Sequence, residues 1–252
     1  MLTTKQYFES LATEAHQFQK AYKYLDFDGG MAMLRNGTVR FTSACNLNDD
    51  YDCNTSIINY DSYREIGRLL GIDKLVIEQT ILKEGEKVSH WGVCSLCKTA
   101  ANDILWNNYA NKGGICIELN VPKTINALYN KGKKTPLIPV KYYDEVTGLI
   151  DRELGIASNE LFRHILIERI VSSKRRINAT NGWPSYKEDE IRLVLFERVE
   201  SGIPLDVTIP HSCITAVYFD DAISASNLRT LHQLINRKYH LVPKGRDNDR
   251  RE

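Results

Sequence analysis

Three polar clusters in this chain hold residues able to do chemistry. The first, around Asn46, Asn48, Asp49, Asp50 and Asp52, follows the β-branched segment Thr38–Ser43. Three Asp with two Asn resemble a calcium loop, but the glycine and the distant bidentate Glu of an EF-hand are absent. A solvated capping turn accounts for the pattern more simply, because Asp and Asn side chains bond the backbone two residues on. The second cluster holds Trp106, Asn107, Asn108, Tyr109, Asn111, Gly113 and Gly114. It reads either as a helix with aromatic core contacts stopped by Gly-Gly, or as an aromatic shelf with amide donors for a flat ring. The third holds Trp183, Tyr186, Glu188, Glu190 and Arg192. On a strand, Glu188, Glu190 and Arg192 share a face because side chains alternate. Adjacent carboxylates raise each other's pKa unless a cation compensates. Arg192 as that cation gives an exposed ion pair of little weight; with Trp183 and Tyr186 beside it, the same face suits a concave acidic site.

Other chemistries lack their signatures. There is no GxxxxGK[ST] loop, no GxGxxG after a strand and no HExxH, GxSxG or DFG. The six histidines are scattered with no i,i+4 pair, so no metal site is expected. Cys94 and Cys97 have CxxC spacing but lie in an apolar run with no second pair, which reads as buried thiols. With 33 Lys+Arg against 32 Asp+Glu, the chain cannot hold nucleic acid by global charge. No apolar run reaches a membrane span, so a cytoplasmic protein is expected.

The elements that must position these clusters follow from periodicity. Helices are expected over Lys5–Ala21, Met31–Arg35, Asp61–Leu70, Asp73–Lys83, Ala101–Ala110, Asn159–Ser172 and Asn227–Arg237. Strands are expected at Tyr22–Leu25, Thr38–Ser43, Trp91–Leu96, Gly114–Leu119, Leu137–Tyr143, Ile191–Phe196, Leu205–Ile209 and Ile214–Phe219. Asp28, Gly29 and Gly30 read as a turn. Helices do not follow every strand, so an α+β fold is expected, as a single domain over residues 1–243 with a charged, disordered tail at 244–252.

Several segments together resemble a bacterial family, domain of unknown function 2971. Its outline runs YKY, LxNGTxxFSSPxxFNDPFD, WSHYAxxHxGxCIxF, then a Lys leading to WxYExEWR. Here stand Tyr22, Lys23 and Tyr24; Leu34 through Ser43; Asn48, Asp49 and Asp52; Trp106, Tyr109 and Ala110; Gly114 through Ile117. Lys174, Trp183, Tyr186, Glu188, Glu190 and Arg192 supply the last block, so the likeness spans Tyr22 to Phe219. Asp50 replaces the family's Pro, Asn108 replaces its first His, and the second His is missing.

The layout also resembles the ADP-ribosyltransferase fold: a strand with an aromatic or basic residue, a short helix ending in Gly, a Ser/Thr strand, and a later strand opening on Glu-x-Glu. That resemblance implies two small packed mixed sheets with flanking helices, and NAD as substrate. It implies Glu190 at the ribose 2′-hydroxyl and Glu188 orienting or deprotonating the nucleophile. Thr42 and Ser43 would support Glu190; Tyr24, Trp106 or Tyr109 would stack on nicotinamide or adenine; Lys23 or Arg40 would meet the pyrophosphate. The implied protein is a toxin or phage-defence effector acting on a protein or nucleic-acid acceptor, with an antitoxin or chaperone as regulator. Two alternatives remain: a non-catalytic sensor binding a nucleotide or phage component, and a Mg²⁺ nuclease using Asp49, Asp52, Glu188 and Glu190.

Overall fold

Strands form where β-branched, aromatic and cysteine residues run together, and helices fill the intervals. The computed structural model describes residues 17–47, 49, 52–54, 60–69, 71–144, 167–178 and 182–246. The strands are β1 (Lys20–Leu25), β2 (Thr38–Ser43), β3 (Trp91–Cys97), β4 (Ile115–Asn120), β5 (Leu137–Pro139), β6 (Lys141–Tyr143), β7 (Ser173–Arg175), β8 (Glu190–Arg198), β9 (Leu205–Thr208), β10 (Ile214–Phe219) and β11 (Lys244–Gly245). The helices are α1 (Phe27–Asn36), α2 (Tyr60–Leu69), α3 (Lys74–Ser89), α4 (Asp103–Asn108), α5 (Val121–Tyr129) and α6 (Ala225–Tyr239). Residues 167–172 are helical and lead directly into β7.

Nine strands form one sheet, and β6 and β7 pair in parallel as a second, two-stranded one. β3 organises the large sheet. One edge runs antiparallel to β8, from Gly92 opposite Leu195 to Cys97 opposite Glu190. Its other edge is shared by two strands. Near one end Val93 faces Thr42 of β2; at the other Cys97 faces Tyr22 of β1. Between those contacts β1 and β2 diverge, and the edge at Cys94–Leu96 is left to a gap. β1 continues through β4 and β10 to β11, β2 pairs β9, and β8 pairs β5.

α1 bridges the gap. Asp26 caps it by accepting from the Gly29 amide, and it closes at Gly37, whose φ of 61° lets its N–H reach the Met33 carbonyl. Alternation decides which side each strand residue serves. Cys94, Leu96, Ile191, Leu193 and Leu195 pack with Met31 and Leu34 of α1 and with Leu231 and Ile235 of α6. Val93 and Val194 pack on the other face with Ile77, Ile81 and Val88 of α3. Each fully buried side chain of this kind contributes about 1.5–3 kcal/mol of transfer free energy. The result is a single α+β domain. Among the described residues, no helix is long and apolar enough to cross a membrane.

Several expectations change. The two small packed sheets are instead one large sheet that splits beside β3, with β6–β7 apart, because β3 pairs on both edges. Gly29 and Gly30 lie inside α1, where the Asp26 cap overrides their turn preference. Residues 137–143 form two strands: β5 pairs with β8, with the Val140 amide still donating in register to the Glu190 carbonyl, and from Lys141 the chain pairs with β7 instead. Residues 244–246, expected in a disordered tail, join the fold: Lys244 and Gly245 pair with Tyr218 and Phe219, and Arg246 binds Asp220 at 2.9 Å, while 247–252 lie outside the described residues. The helix expected over Lys5–Ala21 lies largely outside the described residues, and Lys20 and Ala21 already belong to β1. Asn120 caps α5, an element that periodicity did not show.

Candidate functional site

The gap between β1 and β2 opens into a cavity of about 510 Å³. Stretches distant in sequence reach it. β1 contributes Tyr22, Lys23 and Tyr24; β2 contributes Thr38, Arg40 and Thr42; β3 contributes Val93 through Cys97. The segment from Lys174 to Glu190 contributes Lys174, Asn178, Trp183, Glu188 and Glu190, while Asp49 and Asp52 enter from the loop after β2.

A buried ionic cluster borders this cavity. Lys174 points its ammonium at three carboxylates, 2.7 Å from Glu188, 3.1 Å from Glu190 and 3.6 Å from Asp52. Arg192, with no exposed side-chain surface, binds Glu190 through Nε at 2.8 Å and Asp52 through Nη2 at 2.7 Å. Its Nη1 donates to the Val171 carbonyl and to the Cys53 sulfur. Trp183 donates its indole N–H to Glu188 Oε1 at 2.8 Å, and the Tyr142 hydroxyl accepts from the Glu190 amide. The surface ion pair expected for Glu190 and Arg192 is therefore corrected: both are buried. Glu188 also leaves the strand. It ends a 3₁₀ turn, Ser185–Glu188, and Asp189 at φ 48° swings the chain into β8 so that both glutamates reach the same cluster.

The two glutamates titrate in opposite directions. Burial alone would lift the Glu190 carboxyl, but Arg192 and Lys174 outweigh it and hold Glu190 well below the usual carboxylate range. Burial raises Glu188, and the nearby Glu190 charge adds to it; one ammonium shared among three acids only partly offsets both. Lys174 and Arg192 lose stability of their charged forms through burial, yet the surrounding carboxylates raise both well above their ordinary values.

The remaining candidates divide. Thr42, Tyr24, Lys23, Arg40 and Tyr109 line the cavity. Ser43 does not; its hydroxyl donates to the Ser89 carbonyl at 3.1 Å, so it does not support Glu190. Ser95 takes that place, its hydroxyl helping to lower Glu190. Trp106 is 1% exposed, donates to the Ala100 carbonyl and meets Tyr24 edge-on at 5.3 Å. It is the wall behind Tyr24 and no stacking shelf, whereas Tyr109 is 41% exposed. Tyr24 is pinned by donating to the Thr99 carbonyl and accepting from the Asn102 amide. Lys23 donates to the Ser95 carbonyl at 2.8 Å on the open edge of β3. Arg40 forms a forked pair with Asp206 at 2.8 Å. Cys94 and Cys97 are buried, and burial raises both thiols.

Lys174 stood in the resemblance blocks without a role and Asp52 had one only in the nuclease alternative; Ser95 and Tyr142 carried no sequence signal at all. Among the described residues, no group of three or more His, Cys, Asp or Glu is placed to hold a metal ion. Comparison of the chain with protein-family models, curated proteins and solved structures finds no match.

Proposed function

We propose that this cleft binds NAD and transfers its ADP-ribosyl group to a protein or nucleic-acid acceptor, as an effector of the toxin or phage-defence kind. One observation carries the reading: Tyr24, Thr42, Glu188 and Glu190, scattered along the chain, line a single cleft where β1 and β2 part. Breaking the nicotinamide–ribose bond sends its electron pair to nicotinamide and leaves an oxocarbenium-like C1′. Three carboxylates against two cations give the cluster a formal charge of −1. In a buried site that field favours a cationic transition state over the substrate's neutral sugar, which is differential binding.

Glu190 sits by the ribose and stabilises the developing charge. Glu188 takes the proton of the acceptor nucleophile as its bond to C1′ forms, and its raised pKa suits that task. Tyr24 and Tyr109 flank the flat rings, while Lys23 and Arg40 meet the pyrophosphate by exchanging Ser95 and Asp206 for phosphate oxygens.

The test is release of nicotinamide and transfer of label from labelled NAD into cell lysate. Glu188→Gln, which keeps side-chain volume, is expected to slow transfer about 10²–10⁴-fold while far-UV circular dichroism is unchanged. Equal turnover in wild type and Glu188→Gln refutes the reading.

A second reading has its own support. Each oxygen of Glu188 and Glu190 already accepts from Lys174, Trp183 or Arg192, as in a rigid binding module that senses a nucleotide without turnover. Nucleotide binding that persists in Glu188→Gln, with no nicotinamide released by wild type, selects it. The nuclease reading is weaker, since the Lys174 ammonium occupies the point among the carboxylates that Mg²⁺ would need.

A further inference from the structure

We propose that the acceptor is a single-stranded nucleic acid, held by Tyr186 with Arg176 and Lys187 on the exposed side of the segment that brings Trp183 and Glu188 to the cleft, and that its attacking group is uncharged. The catalytic half rests on the NAD reading above; the binding half does not. Glu188 supplies the first argument. Its Oε2 accepts from Lys174 at 2.7 Å and its Oε1 from Trp183 at 2.8 Å. A guanidinium or ammonium acceptor would have to be desolvated beside a carboxylate whose two oxygens are already engaged, with no open forked partner to offset that cost. A base nitrogen or a sugar hydroxyl meets no such penalty.

The second argument is that the segment carrying Glu188 inward carries Tyr186 outward. The Tyr186 amide donates to the Arg176 carbonyl, and the Asn178 amide donates to the Trp183 carbonyl, so the loop is stapled across its base. Trp183 and Asn178 face the cavity, while Tyr186 is 38% exposed and Arg176 and Lys187 are exposed beside it. The Arg176 guanidinium lies 4.7 Å from the Tyr186 ring centroid and the Lys187 ammonium 6.0 Å. An aromatic face with cations against it takes an unstacked base and its phosphates without regard to sequence. Arg176 also pairs with Asp144, and Lys98 nearby pairs with Asp189. These exposed pairs are weak, so a phosphate can replace either carboxylate.

The experiment measures fluorescence anisotropy of labelled single-stranded DNA and RNA oligonucleotides, with a duplex and an arginine-rich peptide as controls, at low and physiological salt. Wild type is expected to bind the single strands; Tyr186→Ala weakens binding about tenfold. Arg176→Ala with Lys187→Ala lowers the salt slope by about two. These residues are exposed, and circular dichroism verifies the fold. Single-strand binding unchanged in Tyr186→Ala, or absent from wild type, overturns the proposal. In parallel, label from NAD is followed into the same oligonucleotides, a serine peptide and an arginine peptide. Transfer to either peptide in preference to the oligonucleotide overturns it too. Tyr186-dependent strand binding without nicotinamide release keeps the surface and defeats the NAD reading alone.

Discussion

Arg192 is the residue on which the acidic cluster depends, because it binds both Glu190 and Asp52 at hydrogen-bond distance, whereas Lys174 lies 3.6 Å from Asp52. Replacing it by Met leaves three buried carboxylates with one shared lysine. Urea unfolding is expected to show a loss of about 3–5 kcal/mol. Arg192→Lys is expected to recover little, since an ammonium cannot span both acids with forked donors. The pH dependence follows from Glu190. Its folded pKa lies below its unfolded value, so its stabilisation is complete above about pH 4.3 and is lost as pH falls through the folded value. Glu118, lowered by Thr215 and Lys20 against the effect of its burial, adds in the same direction; Glu188, raised, opposes it. Acid titration of stability should therefore fall below about pH 4, and Glu190→Gln should flatten that fall while lowering stability at neutral pH. An acid limb identical in wild type and Glu190→Gln would remove Glu190 from this account.

At the scale of elements, the split sheet makes the site. Had β1 and β2 both paired β3 along its length, no cavity would exist, and Lys23 would not need to cap the Ser95 carbonyl. The close approach of β1 and β4 sets the geometry of one wall. Gly114 lies where an added Cβ would fall far inside van der Waals contact with the backbone carbonyls of Ala110 and Leu25. Neither can move without parting β1 from β4 or unwinding the turn after α4. Gly114→Ala is expected to cost several kcal/mol in chemical denaturation and to lower soluble yield. Strand positions were legible from residue type: Thr38–Ser43 and Ile214–Phe219 have the bounds expected. Glu188 was not, because the αL residue Asp189 breaks the alternation that had placed it on the strand face. Trp106 was misread for a different reason. An aromatic in a short helix looks the same whether it faces a ligand or, as here, backs a tyrosine.

For the whole molecule, residues 244–246 close one edge of the fold. β11 extends the sheet beside β10, and the Arg246 guanidinium binds Asp220 while lying 6.0 Å from the Trp106 ring. Truncation after residue 243 is expected to lower Tm by roughly 2–8 °C, corresponding to about 1–2 kcal/mol for a chain of this size, read by thermal circular dichroism. An unchanged Tm would make these contacts incidental. Hydrophobic alternation and turn residues, being local, determined from the sequence alone most of the strand segments of the large sheet, the α+β class and the residue types able to do chemistry. Only tertiary structure decided that Lys174 and Arg192 neutralise most of the acidic charge, that Ser43 gives way to Ser95, and that the sheet opens between β1 and β2. Those outcomes depend on which strand edges meet across tens of residues, and no periodicity within a segment encodes the partner of an edge.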